Sequence, residues 1–409
     1  MESRNLREML AEAKDTSELM VDLAYAALYF DDPDMADEVD ELEQQISELV
    51  HRMRGVCIVA VRNPREAEAM SAVLQVISAV ERIGNDAVDI ARIVTRRLGI
   101  PIELLLDLSA AEEISHRVEV AQGSHFSNRP LSSFELPVVT GMRVMAVRRE
   151  RHWIVDPGGD FIISPGDVMF LRGSPDGIVR LRELAGAPAW QPPAAPGNVE
   201  LSDLDRAVDT LVEMKNLSEV AVGLAYSALV FRDRSLAAEV RHLEDRLDEM
   251  NHRLELWVLR AAKDGVDPSP LRGLLHLGAA AEDIGDQAQA MVWLIEMSSE
   301  LHPVLGIALG DTDEIVVRYP VGPESEVDGK TLGELELPIE PGFSVLAIER
   351  DGRYWYRPRK NAELRIGDTV VAGGPEEGRE ALAELLGWRL IEDDDDGEFT
   401  LEPLSSEPR

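Results

Sequence analysis

The sequence repeats itself at an offset of 201 residues. Glu18 recurs as Glu219, Ala24 as Ala225, Tyr25 as Tyr226, Phe30 as Phe231, Asp32 as Asp233 and His51 as His252. The register still holds at Glu81 and Glu282, Gly84 and Gly285, Leu136-Pro137 and Leu337-Pro338, Gly166-Asp167 and Gly367-Asp368, and Gly186 and Gly387. Solenoid repeats are 20–50 residues long, so this period marks a whole module present twice. The copies cover roughly residues 5–186 and 206–387. Between them lies a Pro- and Ala-rich stretch without periodicity, around Ala187-Pro188-Ala189-Trp190 and Pro192-Pro193-Ala194-Ala195-Pro196, which reads as a semi-rigid linker. After Glu392 comes an Asp-rich run, expected to be a disordered acidic tail.

A chain of 409 residues is too long for one core, and two to four domains are expected. The net charge of −36 argues against nucleic acid as a partner, since phosphate binding needs clustered Lys and Arg, and against anionic lipid headgroups. Lysine occurs only at 14, 215, 263, 330 and 360, and every other basic residue is Arg. So acidic and Lys-poor a chain suits a salt-rich cytoplasm, where the Debye length falls to about 3 Å near 1 M and self-repulsion costs little. The single cysteine, Cys57, excludes an intrachain disulfide and sits in an apolar stretch where burial is expected. The N-terminus shows no signal-peptide pattern and no run reaches membrane-span length, so the expected location is cytoplasmic, with any membrane contact made through a transporter.

The first part of each copy carries helical periodicity. Val39, Leu42, Ile46, Leu49 and Met53 are spaced 3, 4, 3, 4, and Val240, Leu243, Leu247, Met250 and Leu254 repeat the pattern. A further seam runs Val73, Val76, Val80, Ile83, Ala87, Ile90 and Val94, with its counterpart from Leu274 to Ile295. Asp32-Pro33 and Asn63-Pro64 are helix starts. Two such seams predict long antiparallel helices. Glu81-Arg82-Ile83-Gly84-Asn85-Asp86-Ala87, and Glu282-Asp283-Ile284-Gly285-Asp286-Gln287-Ala288 in the second copy, resemble the last-helix signature of PhoU-type three-helix bundles. That resemblance implies regulation of phosphate transport and signalling, and in some members metal binding through Glu-x-x-x-Asp pairs. Glu282 and Asp286 fit such a pair. Copy one offers Glu81 but has Asn85 in the second place, so a bound metal is not the expectation. Gly84 and Gly285 are expected to permit close helix packing.

From about residue 112 the period becomes strand-like. The predicted order is a strand over Arg117–Ala121, a loop and short helix ending near Leu136-Pro137, a strand pair at Val144–Arg148 and Trp153–Val155, a Gly-Asp turn, a strand, and a helix closing at Gly186. The second copy repeats this layout. Its Gly322-Pro323-Glu324-Ser325, Gly329-Lys330-Thr331-Leu332-Gly333-Glu334-Leu335, Val345-Leu346-Ala347-Ile348-Glu349-Arg350 and Leu364-Arg365-Ile366-Gly367-Asp368 resemble the RCK-C, or TrkA-C, family, and the first copy is a degenerate version. The resemblance implies a regulator of potassium channels or cation transporters that dimerises. In some members it also implies a cyclic dinucleotide or another small ligand bound between subunits. No Gly-x-Gly-x-x-Gly follows a strand, so a Rossmann nucleotide site is not expected.

The expected fold class is therefore multidomain α and α+β. Two PhoU-like three-helix bundles (5–110 and 204–310) alternate with two small RCK-C domains (111–186 and 311–391), with a linker at 187–203 and a tail at 392–409. The window 118–186 balances eight Arg against eight acidic residues in a chain that is otherwise strongly negative. Arg143, Arg148 and Arg149 in copy one, and Arg350, Arg353 and Arg357 in copy two, crowd the same hairpin. Arg forks fit phosphate and carboxylate, so these six are the candidate residues for an anionic effector, with pairing to the acidic bundle as the alternative. Asp167 and Asp368 read as turn residues. No nucleophile–base set, phosphate loop or His–Cys metal spacing appears, and no enzyme activity is expected. The functional expectation is a ligand-sensing regulatory subunit of potassium or cation transport, with a metal-binding regulator of phosphate uptake as the alternative. A homodimer and an intrachain pairing of the two copies are both open.

Overall fold

The computed structural model describes residues 5–108, 113–190, 202–297, 302–310, 312–392 and 399–404. The first copy opens with α1 (Leu6–Phe30), α2 (Pro33–Ala60) and α3 (Pro64–Thr95), then a short α4 (Ile102–Leu108). Asn5 caps α1 in a reciprocal box with Glu8, and Asp32 accepts the Met35 N–H at the start of α2, where Pro33 occupies the first helical turn. Next come β1 (Ile114–Glu119), β2 (Arg129–Pro130), α5 (Leu136–Thr140), β3 (Met142–Arg149), β4 (His152–Val155), β5 (Ile162–Ile163), β6 (Val168–Gly173) and α6 (Ile178–Ala185). The second copy repeats the order with α7 (Asp203–Phe231), α8 (Arg234–Lys263), α9 (Pro268–Met297), α10 (Pro303–Gly310), β7 (Glu314–Pro320), α11 (Leu332–Leu335), β8 (Ser344–Arg350), β9 (Arg353–Tyr356), β10 (Thr369–Pro375) and α12 (Arg379–Leu385). A final hairpin is formed by β11 (Trp388–Glu392) and β12 (Phe399–Pro403).

The two three-helix bundles share one core. α3 lies against α9 in antiparallel sense: the Gln75 side chain donates to the Ala290 carbonyl (2.9 Å), and Gly99, four residues past α3, meets Pro270 at the start of α9. Val73, Val80, Ile83 and Ile90 of α3 and Leu274, Ala281, Ile284 and Met291 of α9 belong to one continuous buried cluster. α4 packs on α7 and α10 on α1, so each copy closes over the first helix of the other. This explains why α1 and α7 are apolar almost all round. Met20, Leu23, Ala24, Ala26 and Ala27 are buried, as are Ala221, Leu224, Ala225 and Ala228, because every face meets a neighbour. Gly84 admits Met20 and Ile46, and Gly285 admits Leu247, as the helix-packing expectation required.

Each sheet is antiparallel, in the orders β1-β6-β3-β4 and β7-β10-β8-β9. One face carries Val144, Val147, Met169 and Leu171 against α6, and the other puts Ala146 and Phe170 into the bundle core. A bulge sits at the same place in both copies. Ladder pairing skips Met145 in one and Leu346 in the other. The extra residue turns its side chain to the helices: Met145 is buried in the shared core, and Leu346 packs over Gly223 of α7.

Three sequence expectations need correction. The first strand starts at Ile114, not Arg117, because Ile114 and His116 face inward with Val118 in strict alternation. In copy one the short helix begins at Leu136 instead of ending there, after a 3-10 turn at Leu131–Phe134. The tail is not disordered throughout. Residues 399–403 pair with Trp388–Glu392, and Leu390 and Leu401 lie against the second sheet's core. The Asp-rich residues 393–398 and most of the expected linker, 191–201, lie outside the described residues. What is described of the linker is anchored: the Trp190 ring meets His116 edge-on, and Arg182 donates to the Pro188 carbonyl.

Candidate functional site

The two β-domains dock on the bundle through equivalent acidic caps. Asp32, the N-cap of α2, receives Arg148 from β3 at 3.3 Å. Its counterpart Asp233, the N-cap of α8, receives Arg318 from β7 at 3.1 Å and the Tyr354 hydroxyl from β9 at 2.8 Å. Position 148 is Glu349 in the second copy, and that carboxylate holds Arg318 from the other side at 2.6 Å. Copy one keeps Arg117 at the position of Arg318, but there it lies over the Phe30 ring and Arg148 takes the cap instead. Burial works against the Asp233 carboxylate, but the Tyr354 hydroxyl, the Leu236 and Ser235 N–H groups and Arg318 together hold it below the usual range.

Arg149 and Arg350 form a second device present in both copies. Arg149 reaches across its sheet to grip Asp167 with Nε and Nη2, both at 2.8 Å, and also donates to the Ile162 carbonyl. Arg350 grips Asp368 at 2.6 Å twice and donates to the Glu363 carbonyl. Both carboxylates are buried and also accept a turn N–H, from Ser164 and Arg365. The Gly-Asp turns are thus anchors for the hairpin arms, and bidentate pairing directs both guanidiniums inward.

Arg143 crosses between copies. It meets Asp313 at 2.9 Å, Glu314 at 3.7 Å and Asp156 at 3.8 Å; burial opposes its charge, and these carboxylates more than restore it. Arg353 and Arg357 lie on the copy-two hairpin, and Arg357 adopts a left-handed backbone with φ 48°. Arg143, Arg148, Arg149 and Arg350 therefore bind acidic groups of this chain. Arg353 is exposed and has no ion-pair partner among the described residues.

The acidic candidates are separated. Glu81 pairs with Arg54 at 2.6 Å in the first bundle. Glu282 and Asp286 face α8 in the second, where Glu282 lies beside Asp248 and Asp286 beside Glu244. Burial and these neighbouring carboxyls push Glu282 and Glu244 up to about 7. Among the described residues no group of three or more His, Cys, Asp or Glu is arranged to hold a metal.

Sequence reasoning missed the strongest charged contacts between copies. Arg172 bridges Asp22, Glu113 (2.8 Å) and Glu219 (3.0 Å), joining β6 to α1 and α7. Its counterpart is Gly373, and Asp22 becomes Gly223, so copy two fills this space with Leu346 instead. The two β-domains also touch reciprocally. A side chain at Gly141 would strike the Pro338 carbonyl, and one at Gly342 would strike the Pro137 carbonyl. Both contacts are related by the 201-residue offset, so the pair is self-complementary like the interface of a two-fold dimer.

Comparison with known families fits this architecture. The TrkA-C domain matches residues 116–186 and 316–387, and the PhoU domain matches residues 10–94 and 211–293. The chain is a tandem PhoU–TrkA-C protein. Both are regulatory domain families. No curated protein matches the chain in sequence. Among solved structures, the phosphate transport system regulatory protein PhoU from Streptococcus pneumoniae is 12% identical, covering 73% of this chain and 95% of its own, with a TM-score of 0.42. PhoU from Pseudomonas aeruginosa is 16% identical, with 71% and 93% covered and a TM-score of 0.39. The RCK_C domain dimer of S. agalactiae BusR, in complex with c-di-AMP, is 24% identical over 18% of this chain and 95% of its own, with a TM-score of 0.17. The assignment of this tandem PhoU–TrkA-C protein rests on the two domain families.

Proposed function

We propose that this protein is a cytoplasmic regulatory subunit of potassium or cation transport, in which an anionic small molecule at the TrkA-C domains sets how the PhoU bundles engage a membrane transporter. The observation that carries this is the docking geometry. Both TrkA-C domains sit on the bundle through N-cap carboxylates, Arg148 on Asp32 and Arg318 on Asp233, and meet each other at Gly141 and Gly342. A ligand that prefers one arrangement of the TrkA-C pair shifts the helices beneath it by its differential affinity. No helix among the described residues is long and apolar enough to cross a membrane, so the transporter would be a separate protein. The two copies supply within one chain the pairing that single-copy relatives would reach by dimerising. Composition supports a salt-rich host.

The test has two arms. Thermal shift in molar KCl with c-di-AMP and adenine nucleotides is expected to raise the melting midpoint with at least one of them. Deletion of the gene in its host is expected to alter rubidium-tracer uptake while leaving phosphate uptake unchanged. Altered phosphate uptake with normal rubidium uptake would replace this reading with the phosphate-regulatory one.

A further inference from the structure

The apolar run Gly55-Val56-Cys57-Ile58-Val59-Ala60-Val61 closes α2, and the fold fully buries only Cys57 of it. Ile58 is 71% exposed, Val59 84% and Val56 41%. At about 100° per residue, Arg52, Gly55, Ile58 and Val59 lie within about 60° of the direction opposite Met53 and Cys57, which enter the core. They therefore share one outward face, and a side chain built at Gly55 would meet open space. Val56 flanks that face. The burial expected of this stretch holds for Cys57 and fails for its neighbours.

The charge around this face is as unusual as its exposure. No Asp or Glu occurs between Glu48 and Glu66, while Arg52, Arg54, Arg62 and Arg65 do, in a chain whose net charge is −36. Arg54 is held by Glu81 of α3 at 2.6 Å. Arg52 donates to the Glu48 carbonyl at 3.4 Å, and Glu66 accepts the Arg62 backbone N–H at 2.7 Å. The Arg52 and Arg62 side chains are exposed and have no ion-pair partner among the described residues. Copy two keeps an apolar outer face at this place, with Leu256 46% and Leu259 67% exposed, but sets Glu255, Asp264 and Asp267 around it. Its Trp257 ring is taken up by Arg206 and Arg260. The two helix ends have thus diverged, and only that of copy one joins exposed apolar side chains to an acid-free, arginine-bearing surround.

We infer that the end of α2 docks on a bilayer surface rich in anionic phospholipid, with Val56, Ile58 and Val59 at the boundary of headgroups and acyl chains and Arg52 and Arg62 on phosphates. Apolar side chains flanked by Arg are what an interfacial helix presents, and an arginine stem can lie along the apolar layer while its guanidinium stays at phosphate level. The acidic charge that argues against anionic lipid for the chain as a whole lies elsewhere, and in molar salt its repulsion is screened beyond about 3 Å. A second copy of this chain is disfavoured as the occupant, since two such faces would bring arginines together. α2 rises about 40 Å from Asp32 to Val59, so the TrkA-C sheet and the bilayer hold opposite ends of one helix. This goes beyond the regulatory reading, which brings the protein to the membrane through a transporter alone.

The test is flotation of the full chain in molar KCl with vesicles of equal phosphatidylglycerol and phosphatidylcholine, and with vesicles of phosphatidylcholine alone. The chain is expected to float with the anionic vesicles and to bind the neutral ones about fivefold more weakly. Ile58→Ser combined with Val59→Ser should lower the partition coefficient about tenfold or more, and Arg52→Gln combined with Arg62→Gln should reduce anionic binding to the level on neutral vesicles. Leu259→Ser, at the copy-two counterpart of Ile58, serves as control and should leave binding unchanged. All these side chains are exposed, and melting curves confirm that each variant is folded. Flotation that survives Ile58→Ser with Val59→Ser, or that falls equally with Leu259→Ser, overturns the assignment, as does no flotation with either vesicle. Equal binding to both vesicles overturns the anionic preference. A two-chain mass in solution that reverts to one chain in the Ile58 and Val59 variant gives the face to a second copy and also overturns the bilayer. None of these outcomes bears on rubidium uptake in the deletion strain, so the transport reading stands or falls separately.

Discussion

Lys14 lies 5.2 Å from the centre of the Tyr226 ring, and its counterpart Lys215 lies 5.3 Å from the Tyr25 ring. The two contacts exchange under the 201-residue offset, so they mark the pseudo-two-fold relation of the halves in atomic detail. Both ammonium groups are buried and each binds the glutamate one turn on, Glu18 at 2.7 Å and Glu219 at 2.8 Å. Two of the five lysines in the chain are placed here.

The two glutamates differ, and that difference is testable. Burial raises Glu18 despite Lys14, whereas at Glu219 Arg172 and Lys215 together overcome burial and hold the carboxyl low. In Lys14→Met, Glu18 loses the cation bonded to it and takes up a proton. Its folded pKa then stands further above the unfolded one, so stability is kept at low pH and lost as pH rises. Urea titrations in molar KCl should show a loss of about 3 kcal/mol at pH 8.5 and a clearly smaller one at pH 6. Lys215→Met should lose less and show little pH dependence, because Arg172 remains on Glu219. Equal behaviour of the two variants would mean that Arg172 does not support Glu219.

The contact between the TrkA-C domains depends on two glycines. Gly141 (φ 61°) and Gly342 (φ 90°) need the left-handed backbone and also approach a carbonyl of the other domain. Gly166 (φ 87°) shares the backbone demand but faces open space. Gly166→Ala should therefore cost only the backbone strain, about 1 kcal/mol. Gly141→Ala adds a steric clash and should cost at least twice as much, and it should expose the Leu136–Thr140 segment to limited proteolysis. Matching losses at the two sites would show that the domains are not in contact in solution.

Most of this architecture was legible because the repeat and the 3-4 spacing report burial directly. Val73, Val76, Val80 and Ile83 mark a seam whichever partner covers it. The identity of that partner was not legible. Leu274 and Leu277 fit a three-helix bundle as well as the six-helix core they help to form. α4 and α10 were missed because they are short and bury residues against the other copy, so their own sequences carry little amphipathic signal. The arginine clusters were visible, but their roles depend on cross-strand geometry. Arg149 sits opposite Asp167 only once β3 and β6 are paired, and Arg148 meets Asp32 only once the sheet lies on the bundle.

Asp86 makes stability fall as pH rises. It lies where α3 meets α9, with Oδ2 buried and without a hydrogen-bond partner. Burial raises it to about 8, aided by the charges of Asp283, Asp89 and Asp286 and opposed by Arg82. The folded chain therefore holds a proton that the unfolded chain releases near 4, and stability declines with increasing pH between those values. Glu244 and Glu282, raised to about 7, act in the same direction. Asp86→Asn removes the titration. It should change little at pH 5.5 and stabilise by on the order of 1 kcal/mol at pH 8.5, raising the melting midpoint by about 2 °C in a chain of this size. A variant whose profile parallels the wild type would place the titrating group elsewhere.

The buried carboxylate of Asp368 ties three parts of its domain together: the Arg350 arm of β8, the Arg365 N–H of the turn and, through Arg350, the Glu363 carbonyl. Asp368→Ala strands a guanidinium that is only 20% exposed, whereas Asp167→Ala strands Arg149, which is 40% exposed. Water can reach the second cation more readily, so the losses should differ: about 3 kcal/mol for Asp368→Ala and distinctly less for Asp167→Ala, read from urea midpoints in molar KCl. Asp368→Asn keeps the shape and the acceptor for the turn N–H but loses the charge, and should fall between wild type and the alanine variant. Arg350 also lies against the Trp355 ring, so Asp368→Ala frees it to move off that ring. Equal losses for the two alanine variants would mean that exposure of the guanidinium does not set the cost.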